Sequence, residues 1–316
     1  MMIQFIAPAD QTWIIQNLAE RLPSDTSASV QVSSYHSFYS TKNLQAGYVV
    51  FTGLGVLTRA EKEAALAISK QIELSDESLT IMNHPASFLN RYELLKTLYE
   101  KDINQFRAFQ IHEIDSAELS YPVFIREAGR HSGSLTGLLH DFKSVQTAIE
   151  HLFSQKYLSN DLLVVEYCHT ADENGLFRKY SAQKMGDAIV PRYLTLDYHW
   201  VVKEHSDQST DRVLYDRQKI EEEVQYIREN PHKEEINHIF EIAGIDFGRI
   251  DYGFKNGNLQ VWEINTLPTF GSYPGQKRKN QKRKKRVESK TLFYEAMGDV
   301  VRSLTKKESK SSEYIV

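Results

Sequence analysis

The chain has 316 residues, 41% of them hydrophobic and 25% charged, with a formal net charge of −4. That is globular composition with length for two or three cooperating domains, and the acidic balance excludes a global pull toward nucleic acid or anionic membrane. A single cysteine, Cys168, excludes an intramolecular disulfide framework and points to a reducing, cytoplasmic setting. The opening MMIQFIAPADQTW lacks the basic segment of a signal peptide, and no stretch approaches the roughly 18–20 apolar residues of a membrane span.

In chain order, Met2–Pro8 predicts a strand, Gln11–Leu22 a helix, and Ser29–Val32 and Tyr48–Thr52 two more strands. Thr58 with Glu61 reads as a capping box before an alanine-rich helix, Ala60–Gln71. Strands alternating with helices predict a parallel sheet over residues 1–87. Asn83-His84-Pro85 punctuates the chain, and Ser87 is the expected cap of a helix over 88–101. Phe109–His112 and Tyr121–Ala128 predict strands, Gly129–Gly137 a glycine-punctuated loop, Ser144–Gln155 a helix and Asp161–Cys168 a buried strand. Phe177–Gln183 and Ile189–Leu194 predict an antiparallel pair around Gly186. Residues 203–218 read as a charged loop, Ile220–Ala243 as helix broken at Asn230-Pro231, and Asp246–Asn265 as a hairpin. In Lys277–Arg286 eight of ten residues are Lys or Arg, after which Leu292, Met297, Val300, Val301 and Leu304 fit an amphipathic helix and 308–316 a flexible tail.

The hairpin carries the chemistry. Asn256-Gly257-Asn258 is a turn signal. A three-residue loop there places Lys255 opposite Leu259 and Asp251 opposite Glu263, while Glu263 and Asn265 share a face of their strand. Two carboxylates and an amide oxygen are thus gathered in one volume. Such hard ligands suit Mg²⁺ or Mn²⁺ when phosphates complete the shell. Taken alone, the spacing also fits a surface hairpin with solvated acids.

Arg249 before Asp251, Gly253 after it and Thr266-Leu267-Pro268 after Asn265 complete a string, 247–270, that resembles the metal signature of the ATP-grasp superfamily. Carboxylate–amine ligases such as D-alanine–D-alanine ligase, glutathione synthetase and the ribosomal-protein glutamate ligases belong to it. Weaker matches extend the resemblance over 80–270. Arg126, in Tyr121–Ala128, and Arg91 stand where the family usually has phosphate-binding lysines, and arginine keeps the charge and adds a planar fork. Gly133 and Ser134 fall in the position of its phosphate-covering loop, along with His131 and Ser132. Glu166, Tyr167 and Cys168 fall at its adenine-binding hinge; Cys168 reads as a packing residue, not a nucleophile.

The resemblance implies an α+β, ATP-grasp fold: an N-terminal α/β domain (1–87), a lid (88–165) and a C-terminal mixed-sheet subdomain (166–307). It implies ATP and Mg²⁺ bound between lid and C-terminal subdomain, with Asp251, Glu263 and Asn265 on the metal. Arg249, Arg126 and Arg178 are the expected catalytic cations, and Lys184 and Arg192 further contacts to phosphate or substrate carboxylate. The expected reaction is ligation of a small-molecule or peptide carboxylate to an amine or thiol through an acyl phosphate. A kinase and a catalytically weak nucleotide-binding regulator are the alternatives. The basic run 276–286 would attract an acidic substrate, and a homodimer is allowed. No P-loop, dinucleotide fingerprint or histidine-based metal motif occurs in the sequence.

Overall fold

The computed structural model describes residues 1–41, 45–75, 78–115, 117–130, 133–202, 217–271 and 287–306. The basic run, the tail after 306, His131 and Ser132, and residues 203–216 of the charged segment expected over 203–218 lie outside the described residues. Strands β1 (Met2–Ala7), β2 (Val30–Ser34), β3 (Gly47–Phe51) and β4 (Leu79–Met82) form a parallel sheet in the order β2-β1-β3-β4. The run MIQFIA is apolar almost throughout because a parallel strand is covered on both faces. Helices α1 (Thr12–Ala19), α2 (Ser24–Ser27), α3 (Tyr35–Thr41) and α4 (Arg59–Ser75) accompany the sheet. Helix α3 and strand β4 were not expected; each is short and mixed in polarity, so neither shows a clear period.

Helix α5 (Arg91–Glu100) starts three residues later than its expected start at 88. Its cap is Asn90, not Ser87: Asn90 Oδ1 accepts from the Glu93 amide at 3.1 Å, and Glu93 Oε2 accepts from the Asn90 amide at 2.9 Å. Arg91 therefore opens the helix. After it come β5 (Ala108–Gln110), β6 (Val123–Glu127), α6 (Phe142–Ser154) and β7 (Leu162–Glu166), with the strands antiparallel in the order β5-β7-β6.

The third sheet has the order β11-β10-β8-β9, with β8 (Phe177–Met185), β9 (Ala188–Asp197), β10 (Phe247–Lys255) and β11 (Asn258–Asn265). Within the expected α+β class this sheet is antiparallel throughout rather than mixed, since tight hairpins join β8 to β9 and β10 to β11. Helices α7 (Arg217–Glu229) and α8 (Lys233–Ala243) cover one face. There Ile236, Ile239 and Phe240 pack with Ala182, Ile250, Tyr252 and Val261. The opposite face carries Ser181, Asp251 and Glu263 and looks toward the β5-β7-β6 sheet, whose Phe106, Leu163 and Val165 pack with Trp262.

The turn between β10 and β11 is tighter than expected. Lys255 pairs with Asn258, so Asn256 (φ 52°) and Gly257 (φ 79°) form a two-residue turn. Asp251 nevertheless lies opposite Glu263, as expected, because a β-bulge interrupts the register: Tyr252 pairs with Val261, and Trp262 is the extra residue. Val261 thereby stays in the helix-side core, while Trp262 and Glu263 both serve the other side.

The parallel sheet and the β11-β10-β8-β9 sheet share one core. Phe5, Ile15 and Val50 cluster with Met185, Phe247 and Phe270, and helix α9 (Val287–Thr305) returns to add Phe293, Met297 and Val301. A polar pin joins the same two sheets. Asn83, fully buried at φ 57°, donates Nδ2 to the carbonyls of Phe51 (2.9 Å) and Phe247 (2.7 Å). Its Oδ1 accepts from the amides of Asp246 (2.8 Å) and Phe247 (2.9 Å). Asparagine tolerates the left-handed region better than most residues. Asn83→Ala orphans these buried backbone groups, so a loss on the order of 4 kcal/mol in denaturant-induced unfolding is expected; a change below 1 kcal/mol would remove the pin from the account.

Candidate active site

Asp251 and Glu263 face each other across β10 and β11 and are almost buried. Glu263 Oε2 accepts from Arg91 Nη2 and from Arg126 Nη2, at 2.6 Å each. Arg249 Nε lies 2.9 Å from Asp251 Oδ1 and its Nη2 3.8 Å from Glu263 Oε1. Ser181 donates its hydroxyl to Asp251 Oδ1 at 2.6 Å, and Lys179 Nζ is 3.5 Å from Asp251 Oδ2. Burial acts to raise the Asp251 carboxyl, but Arg249 and Lys179 outweigh it and hold the group below its ordinary 3.8. Asn265 is at the end of the same strand, its Oδ1 accepting from the Leu267 amide at 2.8 Å. An amide oxygen retains a second lone pair in that arrangement.

Two cavities flank this cluster. The smaller, about 190 Å³, is lined by Arg126, Lys179, Arg249, Asp251 and Glu263 at one end and by Phe106, Phe124, Tyr167, Phe177, Trp200 and Trp262 at the other. Gly253 makes room for that floor: a Cβ there would come 2.6 Å from the Trp262 ring. The larger cavity, about 1120 Å³, lies between loops of the parallel sheet (Pro8, Leu54, Val56, Thr58), the start of α5, the segment 127–130 and Asn265–Leu267. At its edge Gly129 approaches Gly55 so closely that a Cβ would sit 2.5 Å from the Gly55 carbonyl. Arg91 lines the larger cavity and Arg126 and Glu263 the smaller, so their ion triad is the partition between them.

The structure brings together Arg126, Arg249, Asp251 and Glu263, and sets Gly133, Ser134, Glu166, Tyr167 and Cys168 on the smaller cavity. The Ser134 hydroxyl donates to the Thr136 carbonyl at 2.5 Å. Cys168 is buried, and desolvation pushes its thiol up, in keeping with a packing role. Three expected contacts, Arg178, Lys184 and Arg192, are placed differently. Arg178 bridges Asp172 (2.6 Å) and Glu222 of α7 (2.7 Å) on the helix side of β8, and Lys184 donates to Asn237 of α8 at 2.5 Å on that same side. Side chains alternate along a strand, so even positions of β8 face the helices and odd ones the carboxylates. Arg192 donates to the Thr269 carbonyl at 2.6 Å and lies 4.6 Å from the Phe270 ring, clasping the segment after β11. Glu166 lines the smaller cavity while its carboxylate accepts from Arg107 Nη2 (2.6 Å), the Arg107 amide (2.9 Å) and the Ser120 amide (2.8 Å), so it also braces the β5-β7-β6 layer. The residue missed in the sequence is Lys179. Its signal was the same alternation: it is two positions from Ser181, on the Asp251 face.

No protein-family model and no curated protein matches the sequence. Solved structures do. A D-Ala:D-Ser ligase, VanG, from Enterococcus faecalis matches with a TM-score of 0.50 at 13% identity, covering 96% of this chain and 98% of that one. A D-alanine–D-alanine ligase from Bacillus anthracis, complexed with ATP, matches with a TM-score of 0.50 at 11% identity, covering 96% and 99%. The ATP-grasp ligase PsnB, complexed with a minimal precursor, matches with a TM-score of 0.53 at 11% identity, covering 96% and 100%. At such identities the likeness speaks for architecture, and it extends over nearly the whole of both chains. The fold of this chain is therefore that of the ATP-grasp superfamily.

Proposed function

We propose that the chain is an ATP-dependent ligase that joins a carboxylate to an amine, with the nucleotide in the smaller cavity and the two substrates in the larger. The observation that carries this reading is the charge of the cluster. Among the described residues, two carboxylates, Asp251 and Glu263, face four cations, Arg91, Arg126, Lys179 and Arg249, so positive charge is in excess there. Among the same residues Arg126 Nε is buried without a hydrogen-bond partner. Surplus buried charge is unfavourable until an anion completes it. A polyphosphate with a divalent cation does so at the charged end, and the aromatic end suits a flat base.

The donor set fits magnesium. Among the described residues no three His, Cys, Asp or Glu side chains gather as a ready cage. Two carboxylates and one amide oxygen are what remains for an ion that takes its other ligands from phosphate and water. Asp251, Glu263 and Asn265 would hold it. Bound Mg-ATP would supply the phosphoryl group that activates the substrate carboxylate as an acyl phosphate, and neutralise charge on the phosphates. For their part, Arg126 and Arg249 hold phosphate oxygens, Ser181 orients Asp251, and Trp262 with Phe124 shields the base from water. These contributions are positioning and electrostatics and require no protein nucleophile.

An acceptor screen of amino acids and peptides with Mg-ATP tests the reading. Release of ADP and phosphate only when both a carboxylate and an amine are present is expected, along with Mg-ATP raising the stability of the fold by about 2.7 kcal/mol at a hundredfold excess over Kd. A phosphorylated acceptor instead means a kinase, and a stabilised fold with no ADP under any condition means a nucleotide-binding regulator; either sinks the ligase assignment.

The cluster also has a pH signature. Because the Asp251 carboxyl is held below 3.8 in the fold, its contribution is complete at pH above that value and is lost as pH falls through the lower folded value. Asp251→Asn leaves Arg249 and Lys179 without their anion and costs on the order of 3 kcal/mol near neutrality. In unfolding titrations from pH 7 to 3 the gap between wild type and D251N should narrow at the acid end; a constant gap would show that the charge of Asp251 is immaterial.

A further inference from the structure

Arg91 was expected to touch phosphate, but its bonds describe a brace. Its Nη1 lies within donating distance of three backbone carbonyls, Glu127 (2.7 Å), Ala128 (2.9 Å) and Arg130 (2.8 Å), and its Nη2 donates to Glu263. A guanidinium held at both ends in this way fixes the segment after β6 and has little freedom to follow a ligand. Burial and the neighbouring Arg126 bring its pKa down to about 10, which leaves it a cation.

Lys179 is held in the opposite manner. It stands on β8 on the Asp251 face and lines the smaller cavity with Arg126, Gly133, Ser134 and Arg249. Its Nζ lies 3.5 Å from Asp251 Oδ2, beyond the range of a good hydrogen bond. Its side chain is 20% exposed, against 5%, 9% and 14% for Arg91, Arg126 and Arg249, so it is the cation of the cluster most open to the cavity. A lysine ammonium is a compact point charge with three rotatable donors on a flexible stem, suited to meeting an oxyanion that arrives beside it.

We infer that Lys179 binds the polyphosphate of the nucleotide, in the place that the start of α5 was expected to fill with Arg91. The inference rests on the nucleotide reading above. It assigns the two jobs of a phosphate site to different residues: Arg91 shapes the loop and holds Glu263, and Lys179 meets the ligand. When Lys179 is lost, Asp251 keeps its closer partners Arg249 (2.9 Å) and Ser181 (2.6 Å), so the change weakens the ligand far more than the fold.

The experiment is calorimetry with the non-hydrolysable β,γ-imido analogue of Mg-ATP, with AMP and with Mg-tripolyphosphate, on the full chain as wild type, Lys179→Met and Lys179→Arg. Each protein's ligand-free Tm is also measured. Loss of one charge-assisted contact predicts that K179M binds the triphosphate analogue about tenfold or more weakly. Its binding of AMP is unchanged, its ligand-free Tm stays close to that of wild type, and K179R recovers most of the affinity. Undiminished binding of the analogue by K179M overturns the assignment, as does a lower ligand-free Tm with equal losses for AMP and the analogue. Wild-type protein that binds tripolyphosphate through Lys179 but neither nucleotide overturns the nucleotide reading while keeping Lys179 as an anion-binding residue. Wild-type protein that binds none of the three overturns both.

Discussion

A single carboxylate oxygen, Oε2 of Glu263, receives two guanidinium groups at 2.6 Å, and much of the architecture follows from that contact. Arg91 opens α5, Arg126 belongs to β6 and Glu263 to β11, so the triad ties a helix and two different sheets at one point. It also divides the two cavities, and through Arg91 it fixes the carbonyls of 127–130 that edge the larger one. All three side chains are 10% exposed or less. At that depth an ion pair gains little net stability over an apolar replacement, but loss of one partner is costly because the others remain charged. The triad therefore constrains geometry more than it adds to the stability of the fold.

Among the described residues, buried cations outnumber carboxylates around Asp251 and Glu263. Arg178 on the far face of β8 has two carboxylates within 2.7 Å, and Arg107 is matched by Glu166. The contrast lies within one strand: Arg178 is closely paired on the helix side, and Lys179 next to it faces the carboxylates at longer range.

Most of the secondary structure was legible because periodicity and turn chemistry are local: the MIQFIA strand, the buried Leu162–Val165 run and the 247–265 hairpin carry their signals within a few residues. The pairing of Asp251 with Glu263 was legible too, though through a longer turn than the one present. What was not legible depends on partners far along the chain. Whether Arg178 or Lys179 faces the carboxylates is a matter of strand phase, fixed by Ser181 meeting Asp251 seventy residues away. Arg91 and Glu166 line the two cavities and also satisfy backbone groups of neighbouring loops that no spacing rule announces. Asn83 looked like punctuation, yet it is a pin between two sheets, because its partners at 246 and 247 are invisible from its own neighbourhood.

The bulge at Trp262 ties two properties of the hairpin together. A three-residue turn with an unbroken ladder and a two-residue turn with a bulge both set Asp251 against Glu263. They differ in the fate of one side chain. In the unbroken ladder Trp262 would stand opposite Tyr252, among the helices; with the bulge Val261 takes that place and the indole becomes the floor of the cleft. At unchanged length, a turn of three residues in place of two, with the bulge lost, would keep the acids in register and yet exchange an aromatic floor for an aliphatic one, a change in what the pocket accepts made by a loop at the far end of the hairpin.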